Sequence, residues 1–169
     1  MTINRPHHVW AAELTYIPRA RGFVDLFAVL DWARRRVLAG RVSTTRTTDV
    51  CLAAGQEALP QQGPPTMFNP DQGCPFTRQE FTGLLTHHGI QIRLEGKGGW
   101  RDNVLGERLW KSLQYEAVYR HAYDTVRAAH QGLERSLRFD TQTRPQQALD
   151  GQTPDQGYVN NRPARRTAA

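Results

Sequence analysis

The side chains with chemistry to offer are scattered along this 169-residue sequence. Cys51 and Cys74 lie far apart and form no Cys-x-x-Cys pair, which argues against a zinc site and against a disulfide framework. His7, His8, His87 and His88 make two adjacent pairs, none with a cysteine at zinc-ligand spacing, so surface histidines are the simpler reading. What remains is carboxylate and cation chemistry. Asp71 sits in Asn-Pro-Asp-Gln-Gly, and Glu107 falls in the first turns of a helix-forming stretch, with Lys111 on the same face by i, i+4 spacing. Taken singly, Asp71 is a turn aspartate in strong turn sequence, and Glu107 is a solvated acid where the helix dipole favours one. Lys111 either pairs with Glu107 or holds a substrate phosphate. Lys97, Arg101, Arg108, Arg144, Arg162, Arg165 and Arg166 add diffuse charge that suits phosphates, whereas Arg34, Arg35 and Arg36 read as a solvated turn. Trp10, Trp32 and Trp110 read as packing anchors, and Trp100, in a glycine-rich stretch, is the one placed to stack on a base.

These residues need a scaffold, and periodicity gives its order. Residues 9–18 (VWAAELTYIP) read as a strand closed by proline, 21–31 as an apolar strand and 36–43 as a third, and the short connections predict an antiparallel meander. Thr47 or Thr48 caps a helix over 48–59, with Val50, Ala53, Ala54 and Ala58 at helical spacing, and a Pro/Gln/Gly loop follows at 60–65. Next come a short strand at 66–71, a turn at 72–77, a helix over 78–88 with Phe81, Leu84 and Leu85 on one face, and an alternating edge strand at 90–94. A glycine-rich loop (95–103) leads into the longest helix, from Asn103 to about 121, striped by Leu105, Leu109, Leu113 and Ala117; another helix runs from about 124 to 137. After Phe139, Gln, Thr, Pro and Arg dominate, which predicts a domain over 5–140 and an extended tail over 141–169. Three antiparallel strands followed by alternating helix and strand make an α/β domain: a five-stranded mixed sheet flanked by helices, in ribonuclease H-like order.

The chain is long enough to bury a core. Its 22 Lys and Arg against 16 acids give +6 and a pI near 9.9, which favour a polyanionic partner, and a mean hydropathy of −0.64 implies solvated loops. No apolar run approaches the roughly 18 residues that span a bilayer, and the polar opening residues are unlike a signal peptide. A cytoplasmic location without membrane contact is expected.

Several stretches together carry a specific likeness. FNPDQGCPFT (68–77) resembles FNTDQGSQFT, and DNVLGERLWKSLQYE (102–116) resembles DN-x-x-x-ERLWRSLKYE. VWAAELTYIP (9–18) is similar to VWATDITYIP, with RGFVDLFAVLDWARRRVLAG (21–40) continuing the match. HGIQIRLEGKGGWRDN (88–103) and TRPQQALDGQTP (143–154) resemble HGIQISMDGKGRWRDN and TRPHQALDGRTP. On these motifs, from about Arg5 to Tyr158, the chain is identified as a member of the insertion-sequence transposases of the OrfB kind, with an integrase catalytic core. The resemblance implies metal-dependent DNA cleavage and strand transfer in transposition, by an Asp-Asp-Glu triad with 35 residues between the last two acids. Asp71 and Glu107 have that separation (107 − 71 − 1 = 35). It also implies that Glu13, Asp71 and Glu107 are catalytic and hold two Mg²⁺ or Mn²⁺ ions, hard cations for which a few carboxylates suffice. Further, it implies DNA contacts from Lys111, Lys97, Arg101, Arg108 and Arg144, mobile-element ends and target DNA as partners, and assembly with further copies or with a full-length transposase.

Departures from the pattern matter as much. Glu13 stands where the family strand carries Asp, Gln114 where its helix carries Lys, Gln146 where its RPHQAL carries His, and Phe139-Asp140-Thr141 where it carries FYN. Glutamate keeps the charge but adds a methylene and a rotor, in a site where about 1 Å of misplacement can cost a hundredfold. An impaired enzyme is therefore the alternative expectation: a remnant that only binds DNA or oligomerises with an intact transposase. A nuclease of the same fold, cleaving without joining, is another. The family's DNA-recognition helices have no counterpart before Arg5, so the expectation is that a separate polypeptide supplies them or that sequence-specific recognition has been lost.

Overall fold

Nine residues from Phe23 to Asp31 are almost wholly apolar, and all but the first are buried. A strand without a polar side belongs in the interior of a sheet. The computed structural model, which describes residues 3, 5–45, 48–70, 79–93, 111, 115 and 123–160, places it there. The strands are β1 (Val9–Pro18), β2 (Phe23–Asp31), β3 (Arg36–Ser43), β4 (Met67–Pro70) and β5 (Gln91–Ile92), in spatial order β3-β2-β1-β4-β5. β1 pairs antiparallel with β2, and β2 with β3; β1 and β4 are parallel, as are β4 and β5. The expected five-stranded mixed sheet is therefore present, with the expected meander at one side. Gly22, at φ 84°, turns β1 into β2, and Arg19 N–H donates to its carbonyl at 3.0 Å. β5 spans only two residues and occupies the edge that its alternating sequence suggested.

Each face of the sheet has its own core. On one face Trp10, Ala12, Phe27, Val29 and Phe68 meet Cys51, Ala54, Ala58 and Leu59 of helix α1 (Thr48–Gln62), together with Phe81 and Leu85 of α2 (Gln79–His87). On the other, Ile17, Val24, Leu26, Ala28 and Leu30 meet Tyr123 and the Ala129 and Leu133 of α3 (Val126–Gln142). Gly55 explains itself here. A Cβ on it would sit 2.9 Å from the Phe81 ring, so a side chain there would force α1 and α2 apart. α1 also runs three residues beyond expectation: Pro60 is carried in its last turn, and the helix stops only where Gly63, at φ 84°, ends it with N–H donated to Leu59 O at 2.9 Å. Among the described residues no helix is long and apolar enough to cross a membrane. The predicted turn at 72–77, the loop at 95–103 and the helix from Asn103 lie outside the described residues, apart from Lys111 and Tyr115, which are helical and exposed.

The extended tail expected from residue 141 is corrected as far as Asn160. α3 itself continues to Gln142, a 3₁₀ turn follows at Gln147–Leu149, and α4 occupies Pro154–Asn160. Between them Asp150 (φ 54°) and Gly151 (φ 78°) make a tight turn closed by Gly151 N–H to Gln146 O (3.1 Å) and Gln146 N–H to Gln152 O (2.9 Å). Thr153 and Gln156 then cap α4 reciprocally, each side-chain oxygen accepting from the other's backbone N–H at 3.2 and 3.1 Å. Tyr158 is buried in the same core as Trp10, its hydroxyl 2.8 Å from His7 Nε2 and its ring 4.6 Å below the Arg36 guanidinium, which also pairs with Asp155. Leu149 and Tyr158, with Thr153, Pro154 and Gly157 buried beside them, tie down a segment whose average composition is polar.

The same corner holds a buried carboxylate. Asp31 is fully buried at the end of β2 and accepts from the backbone N–H of His7 at 2.7 Å and of Arg34 at 3.0 Å. Burial pushes its carboxyl from the ordinary 3.8 up to about 6, against the pull of those two hydrogen bonds and of Arg34 and Arg36. A raised carboxyl pKa means that the native state keeps the proton longer than the unfolded chain does. Asp31 therefore lowers stability progressively as pH rises from about 4 to about 6, by roughly 3 kcal/mol in all, with no further change above. In urea titrations the Asp31→Asn protein is expected to lack that share of the decline; identical pH profiles for both proteins would contradict it.

Candidate active site

The centre of the sheet is where acids from different elements can converge. β1 lies between β2, which runs against it, and β4, which runs with it, and ligand sites in α/β sheets favour such reversals. Glu13 sits midway along β1, half-buried, opposite Ala28 of β2, and so on the sheet face that also carries Thr15 and Ile17. The parallel register runs Val9 to Met67, Trp10 to Phe68, Ala11 to Asn69 and Ala12 to Pro70. Phe68 packs on the α1–α2 side, its ring 5.3 Å from that of Phe81, so alternation puts Asn69 on the Glu13 side. Asn69 Oδ1 is buried without a hydrogen-bond partner, an arrangement that costs about 1–3 kcal/mol when nothing fills it.

Of the other residues singled out in the sequence, Asp71, Lys97, Arg101, Glu107 and Arg108 lie outside the described residues. Lys111 is exposed on helix, four residues before the equally exposed Tyr115. Arg144 is bound into the C-terminal segment: its Nη1 is 3.3 Å from Oδ1 of Asp140, a buried acid one turn back. Its side chain remains partly exposed. Among the described residues no group of three or more His, Cys, Asp or Glu side chains could hold a metal ion. Glu13 and Asn69 nevertheless supply hard oxygen atoms on one face, the donor type that Mg²⁺ prefers. Sequence reasoning passed over Asn69, although its place two residues before Asp71 in an alternating strand was there to be read.

Comparison with known proteins identifies this architecture. The family model described as the integrase core domain matches residues 3–98, more than half of the chain. The chain belongs to the integrase core family. An insertion-sequence transposase, that of element IS904 from Lactococcus lactis, is 28% identical over 130 residues, covering 75% of this chain and 51% of that protein. The integrase core thus spans about half the length of its curated relative. Solved structures agree on the fold: the HTLV-2 integrase catalytic core domain in complex with magnesium, dimeric form, superimposes with a TM-score of 0.71 at 19% identity, over 93% of this chain and 99% of that one. A chain of the simian T-cell lymphotropic virus intasome, in complex with PP2A regulatory subunit B56 gamma, gives 0.75 at 18% identity, over 99% of this chain and 59% of that one. The ribonuclease H-like α/β reading and the transposase resemblance both stand.

Proposed function

We propose that this integrase core cuts and joins DNA at the ends of a mobile element, with Glu13, Asp71 and Glu107 as its acids. The observation that carries the reading is the β1–β4 register. Ala12 pairs with Pro70, and Glu13 and Asp71 are the residues that come next in each chain direction, in a family whose relatives include insertion-sequence transposases. The residues fit two Mg²⁺ or Mn²⁺ ions, which when bound activate the attacking oxygen and stabilise the leaving one. A magnesium complex among the structural neighbours supports that choice. Glu13, from a strand hydrogen-bonded on both sides, fixes one edge of the site; Asp71 and Glu107 complete the oxygen set. Lys111, Lys97, Arg101, Arg108 and Arg144 hold phosphates, with the net charge of +6 supporting a polyanionic partner. The likeness to an intasome chain supports assembly into oligomers; the proposed assembly is of this chain or with a full-length transposase, in the cytoplasm.

Glu13 in place of Asp favours a slow enzyme over a fully competent one. The deciding experiment is strand transfer on a labelled element-end duplex in Mg²⁺ or Mn²⁺ against EDTA. Metal-dependent joined product supports the proposal, cleavage without joining supports a nuclease, and neither product supports the remnant.

A further inference from the structure

We infer that the open end of the β1–β2 hairpin is a stacking platform for single-stranded DNA, with Tyr16 and Phe23 as its rings and Arg19 and Arg21 as its phosphate contacts. The platform lies on the sheet face away from Glu13 and uses none of the proposed acids, so it goes beyond the cutting and joining described above. The strand register brings the rings together. Tyr16 stands opposite Asp25 and Phe23 opposite Pro18, and residues directly opposite in an antiparallel pair share a face. Tyr16 and Phe23 are thus diagonal neighbours on adjacent strands, roughly 7–8 Å apart. Further along, the same face carries Leu14 and Phe27, which pack into the core with α1 and α2. Tyr16 and Phe23 lie beyond that cover and stay 43% and 63% exposed.

A lone exposed ring is ordinary on a protein surface. Two on one face, next to two cations, are a recognition pattern. Arg19 and Arg21 occupy the turn between the strands. Arg21 is exposed, and Arg19 Nε is cut off from solvent with no hydrogen-bond partner. Among the described residues neither pairs with an acid. Asp25, the acid opposite Tyr16, is buried, and that burial holds its carboxyl above the ordinary range, which lessens its repulsion of a phosphate. A folded protein fits this patch poorly. An aromatic side chain buries roughly 150–250 Å², so two rings fall well short of the roughly 800 Å² that each partner gives to a stable protein interface. A duplex keeps the faces of its bases in its own stack, whereas an unpaired strand offers them to a ring. Only the single strand uses the rings and the guanidiniums together.

The test is binding of a short fluorescent oligodeoxythymidine, and of a duplex of the same length, to the full chain by anisotropy in EDTA. Phe23→Ala should weaken the single strand about five- to a hundredfold, the loss of one stacked base, and the duplex by less than about threefold. Phe23→Leu keeps an apolar side chain without a ring and should lose as much; Phe23→Trp should bind as wild type does. Arg21→Gln should weaken the single strand and flatten its salt dependence by roughly one phosphate contact. Should Phe23→Ala fold poorly, Tyr16→Ala carries the same expected loss. Wild-type affinity in Phe23→Ala, or its recovery in Phe23→Leu, would overturn the platform, and so would a wild type that does not bind the single strand. If Phe23→Ala instead changed the sedimentation of the free chain, the patch would be a protein interface and the inference would fall. No metal enters these measurements, so an inactive cutting site would leave them unmoved, and their failure would leave the cutting and joining reading in place.

Discussion

Tyr158→Ala is expected to destabilise the domain by about 3–5 kcal/mol, the range for deleting a buried aromatic ring, and a chain ending at Thr143 to lose its cooperative unfolding transition altogether. Tyr158 is almost completely buried, belongs to the core that holds Trp10, and joins through its hydroxyl to His7 near the other end of the chain. Removing the ring leaves a cavity under Arg36 and loosens α4, which the Arg36–Asp155 pair and the buried Pro154 and Gly157 still hold. Removing everything after Thr143 also takes away Leu149, a second fully committed apolar side chain. Since whole domains are stable by only about 5–15 kcal/mol, losses of this size consume much or all of the margin. Tyr158→Phe isolates the hydroxyl and should cost only about 1 kcal/mol. Urea unfolding of the three proteins decides the matter. If the chain ending at Thr143 unfolded with the midpoint of the full chain, the C-terminal segment would be the detachable tail that its composition suggests.

The fold was legible wherever burial is two-sided or strictly periodic. β1 and β3 fall on the expected residues because a proline closes one and a short turn opens the other, and β2 could be nothing but an interior strand. The C-terminal segment was not legible, for a physical reason. Composition averages over a window, whereas Leu149 and Tyr158 act singly, through geometry set by the αL turn at Asp150-Gly151 and the Thr153–Gln156 cap. The acids presented the opposite case. Neither Asp71 nor Glu107 announces itself in its own surroundings; the proposed role of both rests on motifs shared across the chain, and both lie outside the described residues. Asn69 shows the limit of that approach, since an orphaned oxygen becomes visible only when its neighbours are known.

Glu13→Asp is expected to raise metal-dependent cleavage by about ten- to a hundredfold over wild type. β1 is tied by ladder hydrogen bonds to β2 on one side and β4 on the other, and Ala12 and Thr15, around Glu13, are buried. The ladder, which pairs Glu13 with Ala28 and the preceding Ala12 with both Val29 and Pro70, resists a backbone shift that would absorb an extra methylene. The longer side chain must bend, or its carboxylate must overshoot the position set for an aspartate. Either way, charge that builds up only in the transition state is less well stabilised, which lowers turnover more than substrate binding. The assay is cleavage of an element-end duplex in Mg²⁺ and in Mn²⁺, with Asp71→Asn as the zero. A gain in kcat with KM little changed is the signature of a repaired site; a gain confined to KM would point to DNA binding instead. If Glu13→Asp were slower than wild type, the surroundings of β1 would have adapted to glutamate, and this chain would be an integrase core with a working Glu-Asp-Glu set. If both proteins stayed at the Asp71→Asn background in either metal, Glu13 would not be the limiting defect. Restoring Lys at position 114, a charge lost from the helix expected to face DNA, would then be the next substitution to combine with it.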